Sequence, residues 1–123
     1  MNQQVLIIDA HPVFIHKTAG FLKGLTINQI QLAVSGHEGI ALADALAPEL
    51  VILSGTLPDM DSRDVCRRLK EMNADTKIIV QIGLFTSDQT MAEFKDVGAD
   101  EVIDRKEKDC LPFQQAILKL IAS

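Results

Sequence analysis

Leu50-Val51-Ile52-Leu53 is an unbroken apolar run of strand length, and it stops at Ser54-Gly55-Thr56-Leu57-Pro58-Asp59-Met60-Asp61. A short run without polar alternation has no solvent face, so as a strand it must be covered on both sides. Val5-Leu6-Ile7-Ile8 repeats the pattern and ends at Asp9-Ala10-His11-Pro12. Lys77 to Ile82 is a fourth strand, Glu101 to Asp104 a short fifth, and Ile30 to Val34 a second, less apolar one that belongs nearer an edge.

The intervening stretches read as helices. Pro12 suits a first helical turn, and Phe14, Thr18, Phe21, Leu22 and Leu25 follow at three- and four-residue spacing, with Gly24 weakening the end. Ser35-Gly36-His37-Glu38 has the spacing of a capping box, opening a helix that buries Gly39, Leu42, Ala43 and Leu46 before Pro48 stops it. Asp61 or Ser62 starts a third helix, burying Val65 and Leu69 and ending before Asn73. Thr86-Ser87-Asp88-Gln89 is a second capping box, ahead of Met91, Phe94 and Val97, and Gly98 marks the stop. The last helix carries Phe113, Ile117, Leu120 and Ile121. Five strands alternating with five helices over short connections predict an α/β fold, a doubly wound parallel sheet in one domain over 1–123.

In open parallel sheets, ligands and chemistry sit beyond the carboxyl ends of the strands, which makes Ser54 the residue to identify. Composition narrows the functions. With a net charge of −5, no Trp and no Tyr, the chain lacks both the charge to grip a phosphate backbone and the rings on which single-stranded bases stack. Arg63, Arg67, Arg68 and Lys70 cluster on the third helix, as a solvated face or, less simply, a patch for an acidic partner. Cys66 and Cys110 follow no metal-ligand spacing and read as reduced structural thiols. No signal-peptide layout and no membrane-length apolar run is present, which predicts a cytoplasmic protein without membrane contact.

The chain resembles bacterial response-regulator receiver domains, the CheY-like family. The resemblance rests on the Val5 to Phe14 stretch, on Pro48-Glu49-Leu50-Val51-Ile52-Leu53, on Leu57-Pro58-Asp59-Met60-Asp61 and on Gly98-Ala99-Asp100, in that order and spacing. The Asp-x-His-Pro-x-Phe opening is most similar to receivers of helix-turn-helix transcription regulators of the NarL type. The resemblance implies a flavodoxin-like (βα)5 sheet in strand order 2-1-3-4-5 and a role in two-component signalling. It further implies a pocket in which two acidic residues after strand one and an aspartate ending strand three hold Mg²⁺, the last also taking a phosphoryl group. The cation neutralises charge on the phosphoryl oxygens and positions them for in-line transfer. A hydroxyl after strand four and a lysine after strand five then relay the signal.

Against that pattern Asp9 matches the first acidic position, but the second is Ala10. Ser54 stands where the phosphoryl-accepting aspartate belongs, Ile82 where the hydroxyl belongs, and Arg105 where the lysine belongs, with Lys106 beside it. Val102 replaces the aromatic that usually accompanies the switch. Serine forms no acyl phosphate, and a lone Asp9 is a poor Mg²⁺ site because that ion gives up its waters reluctantly. The expected function is therefore a pseudo-receiver: no enzyme, no metal and no cofactor, but a module acting by contact with a sensor kinase, an output domain or another receiver. The family's usual surface is helix four, strand five and helix five, here with Met91, Phe94, Val102, Phe113, Ile117 and Leu120, any of which also suits the core. A homodimer through that face is the family's habit.

Two other readings remain at this stage. One is phosphorylation elsewhere, at Asp59, Asp61, Asp104 or a serine, although Asp59 also suits a turn and Asp61 a helix cap. The other is a small enzyme or ligand-binding module using Asp9, His11 and Ser54 at the crevice. No Gly-rich phosphate loop or nucleophile elbow supports it, and an Asp two residues before a His at a helix start acts more often on the helix dipole. His16 and His37 have no partner at i+3 or i+4 and read as surface or semi-buried structural residues rather than ligands.

Overall fold

The computed structural model describes residues 4–27, 29–83, 87–104 and 111–122, without the side chains of 111, 121 and 122. Five strands alternate with five helices: β1 (Gln4–Ile8), α1 (Pro12–Gly24), β2 (Gln29–Ala33), α2 (Gly36–Leu46), β3 (Leu50–Ser54), α3 (Ser62–Met72), β4 (Lys77–Ile82), α4 (Asp88–Asp96), β5 (Glu101–Asp104) and α5 (Leu111–Ala122). All pairs in the sheet are parallel and the strand order is β2-β1-β3-β4-β5, the flavodoxin-like arrangement.

Alternation along the strands divides the core into two layers. Leu6, Ile8, Val51, Leu53, Ile78, Val80 and Ile82 pack with Ile40 and Ala43 of α2, Val65, Cys66 and Leu69 of α3, and Phe94 of α4. Val5, Ile7, Leu50, Ile52 and Ile79 face the other way, against Leu22 of α1 and Phe113, Ala116 and Ile117 of α5. Every residue of β3 is buried, as its apolar run required, whereas β2 lies at the edge and buries only Ala33.

Local signals explain the helix ends. Ser35 Oγ accepts from the Glu38 N–H at 3.2 Å, and α2 stops where Ala47 turns left-handed at φ 46° ahead of Pro48. Asp61 caps α3 by accepting from the Arg63 N–H at 2.9 Å. Gly98, at φ 114°, ends the α4 region and lies so close to Lys70 that a Cβ would overlap that side chain. Two expectations shift. The α4 cap is Ser87, whose Oγ accepts from the Thr90 N–H at 3.2 Å; Thr86 lies outside the described residues. In α2 the buried residues are Gly36, Gly39, Ile40 and Ala43, while Leu42 and Leu46 are half-buried. The cause is close packing: a Cβ on Gly39 would overlap Ile8, so the helix turns its small residues to the sheet.

Candidate functional site

The carboxyl rim of the central strands carries a buried polar row. Ser54 ends β3 and pairs in register with Gln81 of β4; Asp9 follows Ile8, the register partner of Leu53. Asp9, Ser54 and Gln81 are 1%, 2% and 9% exposed, so none is an open surface group. Gln81 is a member the sequence reading passed over. No local spacing marks it within Lys77–Ile82, and only the β3–β4 register places it beside Ser54.

Each group in this row is tied to the protein. The Ser54 hydroxyl donates to the Thr56 carbonyl at 2.9 Å and accepts from the Thr56 N–H at 3.2 Å, closing a tight turn at the strand end. Its proton therefore points at a backbone oxygen rather than a base. The Gly55 N–H donates to the Gln81 carbonyl at 2.7 Å, holding the next residue against β4. An Asp9 carboxylate oxygen accepts from the His11 N–H at 2.9 Å, at the start of α1. Ala10 and His11 are exposed, and the His11 ring lies edge-on to Phe14 at 5.5 Å. A triad of Asp9, His11 and Ser54 is thus not assembled: Asp9 meets the His11 backbone, and Ser54 is engaged with Thr56.

Ile82 is 3% exposed and belongs to the layer under α2, α3 and α4, so the fourth-strand position adds hydrocarbon to the rim. Arg105 lies outside the described residues. Among the described residues no group of three or more His, Cys, Asp or Glu side chains is arranged to hold a metal ion.

The two carboxylates past β3, Asp59 and Asp61, cap helices. Asp59 accepts from the Gly36 N–H at 2.8 Å and the His37 N–H at 3.0 Å, and its second oxygen also meets His37 Nδ1. The His37 and Gly36 amides hold the Asp59 carboxyl at about 2, well below its usual 3.8. Met60 covers the same helix start so closely that a Cβ on Gly36 would collide with it. His37 therefore has a partner that helical spacing did not reveal, because Asp59 lies 22 residues away in sequence. Asp61 accepts from the Arg63 N–H, Nε and guanidinium, and the Arg63 side chain lowers its pKa.

The basic cluster on α3 is largely neutralised within the chain. Arg63 joins Asp61 to Glu93 of α4, and these partners raise its pKa. Arg67 pairs with Asp64 at 2.8 Å, and Lys70 binds Asp100 at 3.0 Å and the Thr76 carbonyl at 2.7 Å. The Cys66 thiol is fully buried, and desolvation pushes its pKa up to about 11, which removes thiolate reactivity.

The residues named for the family's usual surface divide by burial. Phe94, Val102, Phe113 and Ile117 are core residues, from 0% to 8% exposed, and so present no side chain to a partner. Met91 and Leu120 are partly buried against the two layers. The accessible features on this side are ionic: Glu101 of β5 pairs with Lys119 of α5 at 3.1 Å and Lys95 of α4 at 3.8 Å. Elsewhere on α5, Leu118 is a large apolar side chain in the open, 52% exposed.

Comparison with known proteins agrees with the fold. A family model described as the response regulator receiver domain matches residues 5–111. The chain is 33% identical over 104 residues to the DNA-binding dual master transcriptional regulator RpaA of Synechocystis, covering 83% of this chain and 42% of that protein. It is 28% identical over 79 residues to the nitrate/nitrite response regulator protein NarL of Escherichia coli, covering 62% of this chain and 36% of that one. The chain thus spans about two-fifths of the length of these relatives. In fold it is similar to a CheY-like response regulator receiver domain protein from Methanospirillum hungatei, with a TM-score of 0.87 at 20% identity over 99% of this chain and 96% of that one.

Proposed function

The chain belongs to the response regulator receiver domain family, and from that premise we propose that it is a receiver that has given up aspartyl phosphorylation and signals through protein–protein contact. The observation that carries this reading is Ser54: the residue at the end of β3 is a buried hydroxyl bonded on both sides to the backbone of Thr56. A phosphoryl acceptor needs a free nucleophilic oxygen, and a hydroxyl without a base is a weak one.

The residues present do not suit Mg²⁺. Asp9 is the carboxylate at the rim centre and has one oxygen committed to the His11 N–H; its neighbour is Ala10. A cation that demands six oxygens in near-ideal geometry finds too few. Ile82 makes the place of a phosphoryl dianion more apolar, which raises the cost of putting charge there. No step of phosphoryl transfer is therefore assigned to this pocket, and the domain is not an enzyme. Phosphorylation at Asp59 or Asp61 is disfavoured because both carboxylates cap helices, and modification would break those caps.

The partners this reading calls for are a kinase, an output domain or another receiver, meeting the α4–β5–α5 side. There Lys95, Glu101 and Lys119 supply the polar contacts, and the partly buried Met91 an apolar one. The similarity to RpaA and NarL favours attachment to a transcription regulator, with DNA contact left to another domain. No helix among the described residues is long and apolar enough to cross a membrane. Incubation with phosphoramidate and Mg²⁺, read by intact-protein mass spectrometry, tests the proposal. The unmodified mass is expected throughout; an acid-stable or acid-labile phosphoryl adduct at Ser54, Asp59 or Asp61 overturns it.

A further inference from the structure

The open edge of β2 differs from the rest of the surface. No Lys, Arg, Asp or Glu occurs between Lys23 and Glu38, in a chain whose net charge is −5. That interval contains all of β2, which pairs with β1 on one side only. Exposed edges are normally blunted by charge, proline or a bulge. Residues 29–34, Gln-Ile-Gln-Leu-Ala-Val, carry neither charge nor proline, and the β1–β2 register runs without interruption from Gln29 to Ala33.

The orientation of the edge follows from one hydrogen bond. The Asp9 N–H donates to the Ala33 carbonyl at 2.9 Å, so Ala33 turns its backbone groups toward β1. By alternation Gln29 and Gln31 do the same, and Ile30, Leu32 and Val34 turn their N–H and C=O to the open side. The side chains of Leu32 and Val34 are 45% and 53% exposed, two of the five large apolar side chains that lie in the open among the described residues.

We infer that this edge is a self-association surface, on which a second copy of the chain pairs antiparallel along Ile30–Val34 about a twofold axis at Leu32. The partner is a second copy because the strand is complementary to itself. With Leu32 opposite its own copy, Ile30 falls opposite Val34, and the outward groups of three residues per chain exchange about six hydrogen bonds. Leu32, Ile30 and Val34 then form one apolar cross-strand cluster, covering what is exposed in the single chain. Gln31 and Ala33 meet on the opposite face without charge. Elsewhere two copies of an acidic chain repel each other; here they meet on neutral ground.

The test is sedimentation velocity on the full chain over a concentration series, with Leu32→Pro and Leu32→Lys beside the wild type. Proline at Leu32 removes an N–H that faces outward, so it blocks the edge and spares the β1–β2 ladder. Lysine places like charges opposite each other across the twofold axis and serves if proline perturbs the strand; circular dichroism and urea midpoints report whether each variant is folded. Wild type is expected to dimerise reversibly, with both variants weakened by about tenfold or more, and the Ile30 and Leu32 amides are expected to gain hydrogen-exchange protection as concentration rises. A wild type that stays monomeric at hundreds of micromolar overturns the inference. A dimer unchanged in both folded variants also overturns it, by placing the contact elsewhere.

Discussion

Ser54 ends β3 and Asp59 follows on the connection to α3, and their fates are opposite. Ser54 is 2% exposed and closes a local turn on Thr56; Asp59 reaches across to the start of α2 and accepts two backbone N–H bonds there. On the proposed reading, a hydroxyl stands at the position where the family's pattern calls for a carboxylate, while the other position uses its carboxylate for capping. The contrast teaches that an acid near the rim is not a spare phosphoryl acceptor. Helix starts compete for the same oxygens, and the geometry shows that competition won by Gly36 and His37 at Asp59, and by Arg63 at Asp61.

Neither residue should matter as much to folding as the strand behind them. Leu53→Ala removes a fully buried side chain between β1 and β4 and should cost about 2–5 kcal/mol by urea denaturation. A cost below that of Ser54→Ala would break the distinction between a packed strand and a turn that merely follows it. Ser54→Ala strands the Thr56 N–H and should cost about 1 kcal/mol by the same measurement. A neutral or stabilising result there would mean that the hydroxyl has no structural task.

Asp59→Ala should lower the urea midpoint less than Leu53→Ala does, and its effect should depend on pH. The folded carboxyl sits at about 2 against an ordinary 3.8, a depressed value, so its stabilisation is complete above 3.8 and is lost as pH falls toward 2. Wild type and variant should therefore converge in acid and separate as pH rises through that window. Convergence at neutral pH would remove Asp59 from the account of α2. The smallest effect is chemical. In a Cys110→Ser background, Cys66 should resist thiol reagents in the native state at neutral pH and react after unfolding, because burial holds its pKa at about 11.

Much of the fold was legible in the sequence because buried parallel strands leave a continuous apolar trace. β4 and β5 match their expected ends, β1 begins one residue earlier at Gln4, and β2 is displaced by one residue to Gln29–Ala33. The caps at Ser35 and Asp61 were equally visible, since capping is local in sequence. What escaped was non-local. The partnership of His37 with Asp59, the pairing of Gln81 with Ser54, and the bridge from Arg63 to Glu93 each need the fold before the residues meet. The surface expected at Phe94, Val102, Phe113 and Ile117 became core for a related reason. An apolar residue on a helix beside a sheet satisfies both readings until the helix's rotation is known.

The central claim is that the rim of this receiver no longer responds to Mg²⁺ and a phosphoryl group. An amide NMR spectrum, titrated with Mg²⁺ and then with beryllofluoride as a mimic of the acyl phosphate, tests it most directly. The resonances of Asp9, Ser54 and Ile82 are predicted to stay in place at millimolar Mg²⁺, with and without beryllofluoride. Saturable shifts at those residues that spread into α4 and β5 would contradict the claim and show a pocket still working as a switch.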